Sequence, residues 1–265
     1  MARLAQRTVG RLVAAVVLFV TLVAGATPAR AELTTTFNAS VLLLNQPPTR
    51  PWAIKLRLGG SFVDSAGTDV QPILQQLTFH LPDGTVNTRG VRTCTGEPRV
   101  IVASIVDICP PHDAVAFGTS DVQLWRPPGI DRHGRPPSYD YHLRLTMYIG
   151  PRTARGRTLM VLGKGINSPL TAVMRGTLIR VPGPLAGWTY ELPIPVIDDP
   201  EIGAMKVQRF AMDVGGFTRA EPRQWFVEAP RACPAGGFQL GMDARFEGLP
   251  LTVVTRRIDC ELPGV

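Results

Sequence analysis

Tyr139-Asp140-Tyr141-His142-Leu143-Arg144-Leu145-Thr146-Met147-Tyr148-Ile149 is the stretch that decides the fold. Tyr139, Tyr141, Leu143, Leu145, Met147 and Ile149 share one parity; Asp140, His142, Arg144 and Thr146 hold the other. A period of two sends alternate side chains to opposite faces, so the segment predicts a strand with one face in a core and one in water. The pattern recurs at Trp52, Ile54, Leu56 and Leu58, and at Ile73, Leu77, Phe79 and Leu81. It returns at Trp188, Tyr190, Leu192 and Ile194, and at Phe238, Leu240, Met242, Ala244 and Phe246. In two places the parity changes within one segment. Val115 and Phe117 give way to Val122 and Leu124 across Gly118, and Met205 and Val207 to Phe210, Met212 and Val214. A bulge, or a strand passing from one sheet to another, is expected at each.

Turn signals separate these runs: Asp83-Gly84, Gly59-Gly60, Gly215-Gly216 and Gly236-Gly237, with 25 prolines along the chain. No window shows helical periodicity, and strands do not alternate with helices. The expectation is an all-β fold, an antiparallel β-sandwich stapled by two disulfides, built as one sandwich or as two packed sandwich-like halves. Gly150 to Gly156 is the best candidate for a boundary, but each half alone would hold few strands, so a single domain is expected. Arg126 to Ser138, rich in proline and glycine, reads as an extended loop and the place for a binding segment.

Residues 1–31 read as a signal peptide. Arg3, Arg7 and Arg11 precede the apolar run Leu12 to Ala24, and Ala29-Arg30-Ala31 supplies the small-x-small cleavage pattern. The run is too short for a membrane anchor. Residues 32–265 are then the single mature β-sandwich domain, and secretion or envelope association outside the cytoplasm is the expected location. Removing Arg3, Arg7, Arg11 and Arg30 lowers the formal charge from +7 to +3, and the remaining basic residues are scattered. That argues against a nucleic-acid partner. No second apolar stretch is long enough to span a bilayer.

Four cysteines follow the leader: Cys94, Cys109, Cys233 and Cys260. An even number in an exported chain reads as disulfides, with three possible connectivities. Sequence proximity favours Cys94–Cys109 and Cys233–Cys260. A zinc site is disfavoured: no C-x-x-C spacing exists, and only His112 stands near a cysteine.

The candidate catalytic and ligand-binding sets are sparse. Gly118-Thr119-Ser120-Asp121-Val122 fails the nucleophile-elbow pattern at its last position. Asp131, His133, Asp140 and His142 could form an acid–base or metal centre. Asp140 and His142, two apart in a strand, would both point outward. Asp198-Asp199-Pro200-Glu201 lacks the alternating ligand spacing of calcium loops, and Gly163-Lys164-Gly165 lacks a phosphate-loop frame. Among the tryptophans, Trp52 and Trp188 fall in register with the core stripes. Trp125 adjoins the proline-rich loop and is the best exposed stacking surface, while Trp225 fits either role. Asn38-Ala39-Ser40 matches a glycosylation triplet, relevant only in a eukaryotic host.

Phe79-His-Leu-Pro-Asp-Gly84 running to Cys94, then Cys109-Pro110 and Phe117-Gly118, resembles a pattern in a group of exported actinobacterial all-β proteins. Ala232-Cys233-Pro234 through Phe246-Glu247-Gly248 to Cys260 is similar to the C-terminal part of the same group, from which Pro111-His112-Asp113 departs. These motifs are turns and cysteines. The resemblance implies the two cysteine pairings and the exported β architecture, and implies no activity.

The functional expectation is therefore a secreted, non-enzymatic binding or envelope-associated β-sandwich protein, with no catalytic residue, metal or cofactor assigned. Cell-wall polysaccharide or another envelope protein are the expected partner classes. The alternatives are an extracellular hydrolase with its site near residues 126–142, or a carbohydrate-binding module using Trp125.

Overall fold

A computed structural model describes residues 33–44, 53–64, 72–88, 91–102, 109–125, 138–182, 187–195, 204–216, 225–229 and 235–259. Fourteen strands are formed in them, and the one helical element is a single 3-10 turn, Pro111–Asp113. In chain order the strands are β1 (Leu33–Leu43), β2 (Ile54–Asp64), β3 (Leu74–Leu81), β4 (Thr85–Val86), β5 (Arg99–Val102), β6 (Ala116–Trp125) and β7 (Ser138–Arg152). They continue with β8 (Arg157–Gly165), β9 (Leu170–Val181), β10 (Gly187–Pro193), β11 (Ala204–Val214), β12 (Val227–Glu228), β13 (Phe238–Phe246) and β14 (Thr252–Ile258).

Twelve of these strands join in one antiparallel sheet, in the order β1-β2-β11-β6-β7-β8-β9-β10-β3-β13-β14, with β5 added beside β9. The all-β, antiparallel expectation is met. The sheet rolls until its first and last strands lie side by side. No ladder joins β1 to β14 among the described residues; instead Arg256 Nε donates to Phe37 O across the seam at 3.0 Å. The small β4–β12 sheet brings Phe226 and Val227 into the core.

The alternating stripes become the inner face. Leu143, Leu145, Met147 and Ile149 of β7 are buried, as are Ile54, Leu56 and Leu58 of β2 and all five stripe residues of β13. Burying a side chain of this size contributes about 1.5–3 kcal/mol. Aromatic rings link the two ends of the path across the interior. Phe79 of β3 lies 6.5 Å from Phe37, 5.6 Å from Phe210 and 6.3 Å from Tyr190, and Phe62 meets Phe246 edge-on at 5.3 Å.

Two local expectations change. Gly59-Gly60 is no turn: both residues sit inside β2. A Cβ on Gly60 would stand 2.7 Å from the Phe210 ring, so the missing side chain makes room for that ring within the core. Gly118 marks no irregularity either. β6 pairs with β7 in unbroken register, and Phe117 simply points outward, 55% exposed. The register does shift between Val207 and Arg209, at the second change of parity. Strands on both sides of Gly150 to Gly156 pair with each other, so that segment is a hairpin turn within the sheet.

Cys94 and Cys109 form the expected disulfide, with Cα atoms 5.8 Å apart. Cys233 and Cys260 lie outside the described residues. The bonded pair packs with Tyr148, Met160, Leu162 and Val173 on the outer face of β7, β8 and β9, and Cys94 N donates to Ile149 O at 2.7 Å. β5 fills the part of the β9 edge, Leu170 to Val173, that β10 does not reach. Both faces of β8 are therefore buried, which accounts for its uninterrupted Leu159-Met160-Val161-Leu162 run.

The disulfide closes a loop with a sequence separation of 15. Replacing Cys94 and Cys109 together by serine is expected to lower the urea-unfolding free energy by about 3 kcal/mol, from the freedom returned to the unfolded chain. A loss near zero would show that the covering segment stays in place without the staple.

Candidate functional site

A cavity of about 80 Å³ lies against the inner face. It is lined from β2, β3 and β6 through β11, with Leu143, Leu145, Val161, Ala172, Leu192 and the methionines Met147, Met174 and Met212 among its walls. Ser120 and Tyr190 contribute the lining's polar side-chain atoms, and both are already engaged. Ser120 Oγ donates to Arg209 O at 2.9 Å, and Tyr190 OH to Leu159 O at 3.4 Å. Burial drives the Tyr190 phenol far above its ordinary pKa, so it stays neutral at any physiological pH.

The space is larger than the roughly 10–15 Å³ one water requires, yet its walls offer no uncommitted polar partner, so it is a dry, apolar site. An engineered apolar cavity of about 150 Å³ in another protein admits benzene. A volume about half as large suits a narrow occupant. Methionine side chains have three rotatable bonds and pack adaptably, and three of them, Met147, Met174 and Met212, stand in the wall.

Charged side chains of β2, β11, β6 and β7 lie on the outer face, where cross-strand register sorts them into rows. One row runs Ser40, Arg57, Asp213, Phe117, Thr146 over β1, β2, β11, β6 and β7. The next runs Asn38, Gly59, Ala211, Thr119, Arg144, and the third Thr36, Ser61, Arg209, Asp121, His142. In the first row Arg57 Nε donates to Asp213 Oδ1 at 2.8 Å, and Lys55 Nζ lies 2.8 Å from Asp213 Oδ2. The Arg57 hydrogen bond, with that from Lys55, lowers the Asp213 carboxyl to about 2. In the third row burial alone would raise the Asp121 carboxyl. Hydrogen bonds with His142 and Arg209 outweigh it and leave the group below its ordinary value. His142 Nδ1 lies 2.7 Å from Asp121 Oδ1.

The residues singled out from the sequence fall as follows. Asp140 and His142 are both exposed on the outer face, as their spacing predicts. The partner of His142 is Asp121, from the neighbouring strand, which no local motif marked. Only the β6–β7 register brings the two together. Asp131, His133, Asp198 to Glu201, Trp52 and the side chain of Trp125 lie outside the described residues. Among those that are described, no three His, Cys, Asp or Glu side chains converge to hold a metal ion. Trp188 is half-buried at the rim of the roll, its Nε1 donating to Gly84 O at 3.0 Å and the Arg180 guanidinium 5.1 Å from its ring. Trp225 is also half-buried. No helix among the described residues is long and apolar enough to cross a membrane.

Comparison of the chain with protein-family models, with curated proteins and with solved structures finds no match.

The low Asp213 value carries a pH dependence. A folded-state pKa of about 2, below the roughly 3.9 of an unfolded aspartate, stabilises the fold fully above the higher value. That stabilisation disappears as pH falls through the lower one. Wild-type protein is expected to lose more of its urea midpoint between about pH 4 and pH 2 than Asp213→Asn does. Parallel acid limbs for the two proteins would contradict the pairing.

Proposed function

We propose that this protein is exported by the leader read over residues 1–31 and works outside the cytoplasm as a non-enzymatic carrier of a short, uncharged, unbranched alkyl group. The cavity is the observation that carries this reading: a dry interior whose two polar side chains are satisfied within the wall. Such a lining favours transfer of apolar surface from water and offers nothing to hold a charged or hydroxylated guest. Its small volume and methionine walls select a thin, flexible occupant.

In this reading the two halves of the rolled sheet act as a flattened, sandwich-like container packed through the Phe79 contacts. A second staple between Cys233 and Cys260 would close its C-terminal hairpin. The Cys94–Cys109 disulfide is compatible with an oxidising compartment, and the resemblance to exported actinobacterial proteins supports an envelope setting. Polysaccharide or another envelope protein are the partner classes there. Binding and release of an alkyl chain need neither cofactor nor catalytic group.

The test uses n-butane as probe, an uncharged unbranched chain on the scale of the space, followed by NMR chemical-shift titration, with xenon as competitor. Saturable binding to wild-type protein is expected, with the probe recovered chemically unchanged. Ala172→Phe, which fills the cavity from a fully buried position, is expected to weaken binding at least tenfold. Met174→Ala, which enlarges the cavity at about 2–5 kcal/mol of stability, is expected to retain it. Absence of saturable binding, or equal affinity in the filled variant, would sink the carrier reading.

A further inference from the structure

A second, different site lies open over the three outer rows. Between the Arg57 row and the Arg209 row the middle row carries small side chains, Gly59 and Ala211, and a void of about 410 Å³ lies over them. Arg57 and Arg209 line it from opposite sides, and their side chains are 69% and 70% exposed. The rows stand two residues apart along each strand, so the two arginine rows are separated by about 13 Å at the backbone. The floor spans β1 to β11, adjacent strands lying about 4.8 Å apart.

Each arginine is held by a carboxylate on a neighbouring strand, Arg57 by Asp213 and Arg209 by Asp121. A guanidinium has five N–H donors, and these contacts use one or two of them. The remaining donors stay available in side chains already fixed in direction, so little rotamer freedom is lost on binding an anion. Within the three rows arginines outnumber carboxylates, Arg57, Arg144 and Arg209 against Asp121 and Asp213. Asn38 and Ser61 add amide and hydroxyl groups beside the floor, and the exposed ring of Phe117 stands one strand beyond Asp213.

We propose that this trough binds a carboxylate-bearing glycan, a polyuronate chain. Its carboxylates meet the Arg57 and Arg209 forks, which match a planar carboxylate with two parallel hydrogen bonds. Its hydroxyls meet Asn38 and Ser61. A sugar ring lies flat over Gly59 and Ala211, where the backbone is accessible, and the next ring reaches the face of Phe117. The site faces away from the cavity and does not depend on the carrier reading. It would hold the protein on an acidic polysaccharide while the interior is loaded or empty.

Binding of a galacturonate oligomer to the full mature chain, measured by titration calorimetry at low salt, tests this. A neutral galactose oligomer and a poly(glycerol phosphate) serve as comparison ligands. The uronate is expected to bind at least tenfold more tightly than the neutral oligomer, and more weakly as salt screens the exposed guanidinium groups. Arg57→Gln combined with Arg209→Gln is expected to weaken it at least tenfold. Ala211→Phe, which fills the floor without changing charge, should do the same. Circular dichroism and an unchanged urea-unfolding midpoint establish that these variants are folded, and, being independent of the cavity, separate failure here from failure of the carrier reading. Equal affinity for uronate and neutral oligomers, wild-type affinity in the folded arginine double variant, or binding of the phosphate polymer alone would each overturn the proposal.

Discussion

The contact of Phe79 with Phe37 and Phe210 holds the architecture together. A twisted sheet of this many strands tends to curl, but curling alone does not decide where its two ends meet. Phe79 belongs to the β3–β13–β14 end of the hydrogen-bonded path, while Phe37 and Phe210 belong to the β1–β2–β11 end. Burying these rings against each other removes a large apolar area from water and brings β1 beside β14. The fit requires Gly60, because any side chain there would occupy the space of the Phe210 ring.

That packing also explains why the interior is uneven. The rings do not fill the roll. Phe79, Phe210 and Tyr190 stand in the wall of the cavity, together with aliphatic residues and methionine from β2, β3 and β6 through β11. On the far side of the same wall the Cys94–Cys109 disulfide packs on Tyr148, Met160, Leu162 and Val173, so these residues are buried on that face too. One wall thus separates a dry chamber from a stapled cover, whereas the β1–β2–β11 wall leaves its outer face to charged and small residues. The candidate sites follow from this division, one apolar and internal, the other charged and external.

Much of the fold is legible along the chain because alternation is a local property. The β7 and β13 stripes identify their own inner faces, and the break at Val207 shows up as a change of parity. Gly59-Gly60 and Gly118 mislead for one reason: a glycine signals a turn only when nothing else requires its missing side chain. At Gly60 the requirement comes from a ring about 150 residues away in sequence. His142 was visible as an exposed histidine, but its carboxylate partner was not, since Asp121 becomes its neighbour only through the β6–β7 register.

Local sequence therefore determined the strand-rich class, the inward residues of the longest strands, and the proximity of Cys94 to Cys109. Each depends on neighbours a few residues away and on the two-residue repeat of the extended chain. Tertiary structure alone decided that the strands share one rolled sheet, that a dry space remains within it, and that Arg57 and Arg209 flank a floor of small residues. Those features arise from pairing between strands distant in sequence, where hydrogen-bond register and ring packing, rather than local pattern, choose the neighbours.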